Sequence, residues 1–184
     1  GAAARERLRG EQLDELEQMG VPFFLWVHLF GPHTEAPGDC TIGSFGDSLV
    51  ERYDHAIACT DAQLGRLLAR SERSRSAIPL AVFVTADHGE TLASAQLRHH
   101  GTHLHESDIH IPLVLRLPSG PSGRRSDLVS TLDVLPTILA LTRTPAPPGL
   151  DGRDLLGAPA SRILISDTWM PNNGRLTVLE KGAS

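Results

Sequence analysis

The sequence predicts an α/β domain, a mostly parallel sheet sandwiched between helices. Three observations predict it. Nearly uninterrupted apolar runs at 21–30, 78–86 and 109–117 read as strands covered on both faces, because none of them alternates with polar residues. Helical periodicity occupies 47–70 and 130–142, between and after those runs. The order, strands alternating with helices, is that of an α/β sheet. At 184 residues the chain reads as a single domain over 1–184, long enough to bury a sizeable core.

The elements follow in order. Residues 4–19 read as an amphipathic helix with Leu8, Leu13, Leu16 and Met19 roughly on one face and Gly20 as the stop. "VPFFLWVHLF" (21–30) is the first strand, followed by the turn-rich "GPHTEAPGDCTIGSFG". In 47–70, Leu49, Tyr53, Ile57, Leu64 and Leu68 recur at helical spacing. "IPLAVFVTA" (78–86) and "IHIPLVLRL" (109–117) are the second and third strands. "STLDVLPTILALT" (130–142) is a helix capped by Ser130, with Asp133 three residues on. Prolines in "TPAPPGLDG" end it, and "RILISDTW" (162–169) is a last short strand. There is no internal repeat.

Composition narrows the function classes. Hydrophobic content of 40% and charged content of 21% are ordinary for a globular protein. The net charge of −5 points away from nucleic acid, and the positive residues near 66–75 and at Arg124–Arg125 read as solvated faces. No apolar run approaches the roughly 18 residues that span a bilayer, and residues 1–20 do not read as a signal peptide. Cys40 and Cys59 form no CxxC pair and imply no disulfide framework, which leaves the redox compartment open.

"FVTADHGE" (83–90) runs a strand straight into two metal-ligand types, Asp87 and His88. In open α/β sheets ligands bind beyond the carboxyl ends of strands, and His33 lies just beyond that end of another strand. Five of the nine histidines fall within "HHGTHLHESDIH" (99–110), read either as a solvated histidine-rich loop or as part of a site. An Asp ending an apolar strand needs a cation, hydrogen bonds or water. Asp oxygen with imidazole nitrogen suits zinc, manganese or iron, and oxygen-rich partners would admit calcium or magnesium. Two ligands do not complete a shell, so others must come from elsewhere. HExxH, GxSxG, GxxxxGK[ST] and GxGxxG are all absent, which argues against zincins, the usual serine hydrolases and nucleotide binders.

Several segments together resemble the sulfatases of the alkaline phosphatase superfamily. "PFFLWVHLFGPHTEAP" is similar to the family's "PFF-apolar-H…DPH-x-PY" segment, and "FVTADHGE" to its metal-binding strand end. "HHGTHLHESDIHIPLVLRLP" resembles "GHG…LYEE..IPL", "VSTLDVLPTILALT" the "D-x-x-PT-x-L-x-L" helix, and "GLDGRDLL" its follow-on. The resemblance covers about residues 20–157 in the family's order and implies a partial sulfatase domain, incomplete at the N-terminus. It implies hydrolysis of a small-molecule or glycan sulfate ester, or of a phosphate or phosphonate ester, or phosphoryl transfer, in the same superfamily. Asp87 and His88 would be ligands of one divalent cation, calcium by family, with manganese, zinc or magnesium as alternatives. His33 would bind the ester and protonate the leaving oxygen. His100 stands where sulfatases often have lysine and phosphonate and phosphate hydrolases have histidine; Lys181 is the chain's only lysine. His100 and His103 would contact substrate, with His105 orienting or structural. The family implies an extracytoplasmic location.

Departures are equally specific. The family's aspartate before "PH" is Gly31, and its "PY" is Glu35–Ala36. The Asp-x-x-x-His pair of the two-metal phosphatases is missing, which favours one metal. Neither cysteine fits the Cys-x-Pro/Ala-x-Arg pattern of the sulfatase nucleophile, and the acidic first strand is not matched. The expectation is therefore a longer chain whose N-terminal part supplies the nucleophile. The competing expectation is a noncatalytic fragment or anion-binding domain.

Overall fold

The computed structural model describes residues 2–34, 40–73, 79–92, 100–101, 103–120, 122–159, 161–170 and 174–181. His99 and Glu35–Ala36 lie outside them. The chain divides into two compact units, Gly1–Pro79 and Leu80–Ser184, each described by itself.

Three helices make the first unit: α1 (Ala2–Gln18), α2 (Gly31–Thr34) and α3 (Leu49–Arg73). Helix α1 ends where Gly20 takes a φ of 66°, a left-handed backbone that costs glycine little. Leu13 is buried, but Met19 is 66% exposed, so the apolar face is shorter than its periodicity indicates. Helix α1 is held to α3 by Arg70, which donates to Asp14 Oδ1 at 2.8 Å, and by Ser71, which donates to Glu17 at 2.7 Å. Arg70 is thus paired rather than part of a purely solvated basic face. Helix α3 opens with a capping box that the sequence reading missed: the Glu51 carboxylate accepts from Ser48 N and the Ser48 hydroxyl, which in turn accepts from Glu51 N. Its buried positions are Ala56 and Cys59, whereas Ile57, expected to face inward, is exposed.

Cys40 and Cys59 form a disulfide, with Cα atoms 5.6 Å apart. This corrects the reading that no disulfide is implied. A spacing of 19 residues carries no pairing signal in sequence; the loop 40–48 has to turn back on α3 to bring the two together.

Residues 21–30 form no paired strand among the described residues. Exposure alternates along them, with Phe24, Trp26, His28 and Phe30 out and Phe23, Leu25, Val27 and Leu29 less so. That is the period of a strand, yet a strand is completed only by a hydrogen-bonded neighbour, and no described residue supplies one.

In the second unit, β1 (Val82–Thr85) pairs with β2 (Leu113–Arg116), and β3 (Ile163–Met170) pairs with β4 (Gly174–Lys181). Both pairs are antiparallel, with Val82 opposite Arg116 and Ile163 opposite Lys181. Helices and strands are mixed as the α/β class requires, but among the described residues there is no parallel pairing. A parallel pair needs a crossover, usually a full helix; the β1–β2 connection carries, as described, only the four-residue α4 (Glu106–Ile109). Strand β4 was not expected; only its "RLTV" (175–178) alternates with period two.

The 130–142 helix splits into a 3₁₀ turn (Thr131–Asp133) and α5 (Val134–Leu141), with the expected Ser130–Asp133 capping box formed. Asp133 and Thr137 are fully buried. Asp133 accepts from Arg162 on both oxygens, at 2.8 and 2.5 Å, and from the Ser130 and Arg153 backbone at 2.8 Å each. Thr137 donates to the Asp133 carbonyl and accepts from Leu155 N. The "D-x-x-PT" helix and the "DG" follow-on are thus one polar knot. Arg125, like Arg70, is paired, donating to both oxygens of Asp127 at 2.8 Å.

Gly152 sits against this knot. A Cβ there would lie 1.9 Å from the Leu132 carbonyl oxygen and 2.4 Å from its carbon, so backbone would have to move. Gly152→Ala should therefore destabilise the second unit by about 1–3 kcal/mol. Thermal melts followed by circular dichroism would register the loss; an unchanged midpoint would mean that the 131–133 turn yields freely.

Candidate functional site

Strand β1 ends at Thr85, and the next residues present Asp87 and His88 from a turn at its carboxyl end. Gly89 allows that turn to pack closely: its N–H donates to the Asp108 carbonyl at 2.7 Å, and a Cβ would meet the Ser107 carbonyl oxygen at 2.0 Å. Helix α4 thereby braces the Asp-His-Gly-Glu segment. Thr91 adds a second brace, with its hydroxyl 2.6 Å from that of Ser107 and donating to Asp108 Oδ1 at 2.9 Å.

The Asp87 carboxylate is well exposed and accepts from His88 N at 3.0 Å through Oδ1. Its Oδ2 lies 3.8 Å from His88 Nε2. His88 Nδ1 is 2.8 Å from the Gly89 carbonyl. A carbonyl only accepts, so Nδ1 carries a proton, and in the neutral ring the lone pair is then on Nε2, the tautomer that ligates a metal. The His100 ring stacks on His88, with centroids 4.0 Å apart and planes at 22°. His100 Nδ1 lies 3.2 Å from Glu90 Oε2, which holds the ring in place.

Glu90 and Asp108 received no role from sequence, yet they shape this corner. Glu90 is nearly buried, and its Oε1 has no hydrogen-bond partner among the described residues; the same is true of Asp108 Oδ2. Buried carboxylate oxygens of this kind call for a cation, a donor or water. The only signal in the sequence was the position of Glu90 directly after Asp-His-Gly.

The donor set therefore offers two ligands to a divalent cation, one carboxylate oxygen and one imidazole nitrogen. Among the described residues no third His, Cys, Asp or Glu joins Asp87 and His88 within ligand distance. His103 and His105 stack on each other, with centroids 5.2 Å apart. His33 lies in the first unit, exposed on α2, with its ring edge-on to Phe30 at 6.0 Å. Gly31, which replaces the family's aspartate, packs against α3: a Cβ there would come within 2.2 Å of Thr60 Oγ1. A side chain at 31 would require the Thr60 hydroxyl to move aside.

Comparison with known proteins identifies the family. The Sulfatase family matches residues 5–144. The chain is 30% identical over 123 residues to the uncharacterized sulfatase YidJ of Escherichia coli, covering 64% of this chain and 24% of that protein. It is 34% identical over 105 residues to arylsulfatase K of Danio rerio, covering 56% and 20%. It is 30% identical over 174 residues to steryl-sulfatase of Rattus norvegicus, covering 82% and 29%. The chain thus spans under a third of the length of each of these relatives. No solved structure matches it significantly. The match over most of the chain, with the Asp-His pair at the strand end inside it, places the chain in the sulfatase family.

Proposed function

We propose that this chain is the metal-binding and leaving-group portion of a sulfate ester hydrolase, within a longer protein that supplies the nucleophile. The carrying observation is the placement of Asp87 Oδ2 and His88 Nε2, 3.8 Å apart at the end of β1, in a chain of the sulfatase family. Asp87 and His88 would hold one divalent cation, calcium by family, with manganese, zinc or magnesium as alternatives. Such an ion supplies charge neutralisation at the ester oxygens. His33 and His100 bind the ester and deliver a proton to the departing oxygen, and His103 lines the substrate side. Exposed Phe24, Trp26, Val114 and Ile165 are surface that further chain would cover. The name of arylsulfatase K makes an aryl sulfate the first ester to test. The disulfide favours an oxidising, extracytoplasmic compartment. Among the described residues no helix is long and apolar enough to cross a membrane.

A second reading is favoured by one residue. His100 in place of lysine, stacked on His88, supports phosphate or phosphonate esters over sulfate. The ratio of kcat/KM for an aryl sulfate and the matching aryl phosphate, measured on the longer protein, decides between them.

With its disulfide intact, the chain alone should bind manganese, zinc or calcium weakly, at about 10⁻⁴–10⁻³ M, because it offers two ligands. Calorimetric titration should show that Asp87→Ala abolishes this binding. Tight binding that survives the substitution would reassign the ion, and no binding at all would favour a noncatalytic, anion-binding domain.

A further inference from the structure

Away from that corner, in the first unit, Cys40, His55 and Cys59 gather. One ligand atom from each, two sulfurs and an imidazole nitrogen, lies within 4.8 Å of the others. His55 and Cys59 stand four residues apart, on one face of α3, and Cys40 is brought from the preceding loop. Cys59 is buried, and Cys40 and His55 are half-buried. His55 Nε2 lies 3.0 Å from the Ile42 carbonyl and donates to it, so in the neutral ring the lone pair is on Nδ1. The Phe45 ring, 5.4 Å from that of His55, flanks it on another side.

We propose that Cys40, His55 and Cys59 form a redox-gated site for a zinc-class ion, closed while the disulfide stands and open once it is reduced. A dithiol reductant gives two electrons and two protons to the disulfide, leaving two protein thiols and an oxidised, disulfide form of the reductant. Binding of M²⁺ then releases the two thiol protons to solvent, and the ion takes two thiolates and one imidazole. Its fourth position stays available to water or another ligand, as in three-ligand zinc sites. The two sulfurs need separate only to about 3.8 Å, the edge of a tetrahedron with arms of about 2.3 Å. Thiolate and imidazole select zinc or cobalt over calcium and magnesium, so this site and the Asp87–His88 pair take different ions. The metal replaces the disulfide as the tether between the 40–48 segment and α3. Sequence spacing hides the site, because its ligands form no CxxC and meet only when the loop folds back.

Cobalt(II) is the probe, because thiolate ligation gives an intense near-ultraviolet charge-transfer band and the Asp87–His88 pair contains no sulfur. The chain has two cysteines in all, so any such band must arise from Cys40 and Cys59. The reduced chain should bind one cobalt with this band and tetrahedral d–d absorption, and the oxidised chain should show neither. His55→Ala should weaken cobalt binding by more than the roughly tenfold typical of losing a ligand's hydrogen-bond partner, and Cys40→Ser should lose at least half of the band. Far-UV circular dichroism checks that each variant is folded, and reduced wild-type protein needs no substitution at all. The absence of a thiolate band in reduced wild-type protein overturns the proposal, as does unchanged affinity in folded His55→Ala.

Discussion

Arg162→Met should destabilise the second unit by about 3–5 kcal/mol, the cost of leaving a buried charge without its partner. Arg162 and Asp133 are 6% and 0% exposed, so the ion pair is buried. Burial by itself pushes the Asp133 carboxyl up, but the Arg162 hydrogen bonds, followed by the Arg153 and Ser130 N–H groups, outweigh it and hold the carboxyl below its ordinary value of 3.8. A lowered carboxylate contributes stability that is present above that ordinary value and is lost as pH falls through the folded one. The deficit of Arg162→Met should therefore be largest near neutral pH and shrink as pH falls, from above 3.8, where burial raises the stranded carboxyl of the variant, to below it, where the wild-type carboxyl takes up its proton. The double variant Arg162→Met with Asp133→Leu should be less destabilised than Arg162→Met alone, since no charge stays stranded. Denaturant unfolding at pH 7 and pH 3 measures all of this. A loss under about 1 kcal/mol at pH 7 would mean that the pair is solvated, like a surface ion pair.

The second large effect is on turnover. In the longer protein, His33→Ala and His100→Ala should each lower kcat by roughly 10²–10⁴, the range for losing a general acid or base. A leaving group of low pKa needs less protonation. Whichever histidine protonates the departing oxygen should thus matter less for an activated aryl ester than for an alkyl ester. Steady-state kinetics on both esters separates the roles. Equal losses on both esters for both variants would leave the histidines as anion binders, and no loss for either would return the cluster to a solvated loop. Glu90→Gln should reduce turnover less than His100→Ala, because it acts only by holding the His100 ring.

The legible parts of the sequence were those whose signal is local. Strand character at 82–85 and 113–116, the Ser130 cap and the long helix through Cys59 all come from spacing within one segment. The pairing direction of β1 and β2 was not legible, because apolar runs without alternation look alike in parallel and antiparallel pairs. Residues 21–30 show the limit of local reading: they alternate in exposure like a strand, yet pairing depends on a neighbour. The Cys40–Cys59 bond, the Asp133–Arg162 pair across 29 residues and the Glu90–His100 contact were hidden for the same reason. In the candidate site, Asp87 and His88 stood out because two metal-ligand types follow an apolar strand. The stacking of His100 on His88 could not be read from a loop with five histidines. Gly31 looked like a lost functional aspartate, and its closeness to Thr60 gives the packing reason.

The proposed role of Asp87 and His88, the metal-binding pair of a sulfate ester hydrolase, makes turnover depend on the Asp87 carboxylate. Its most direct test is kcat/KM for an aryl sulfate, measured on the longer protein with and without Asp87→Ala at saturating metal. The wild-type protein should show measurable hydrolysis and the variant a loss of at least about 10³, a larger loss than removal of one oxyanion donor typically causes. Wild-type turnover that Asp87→Ala leaves intact would contradict that role.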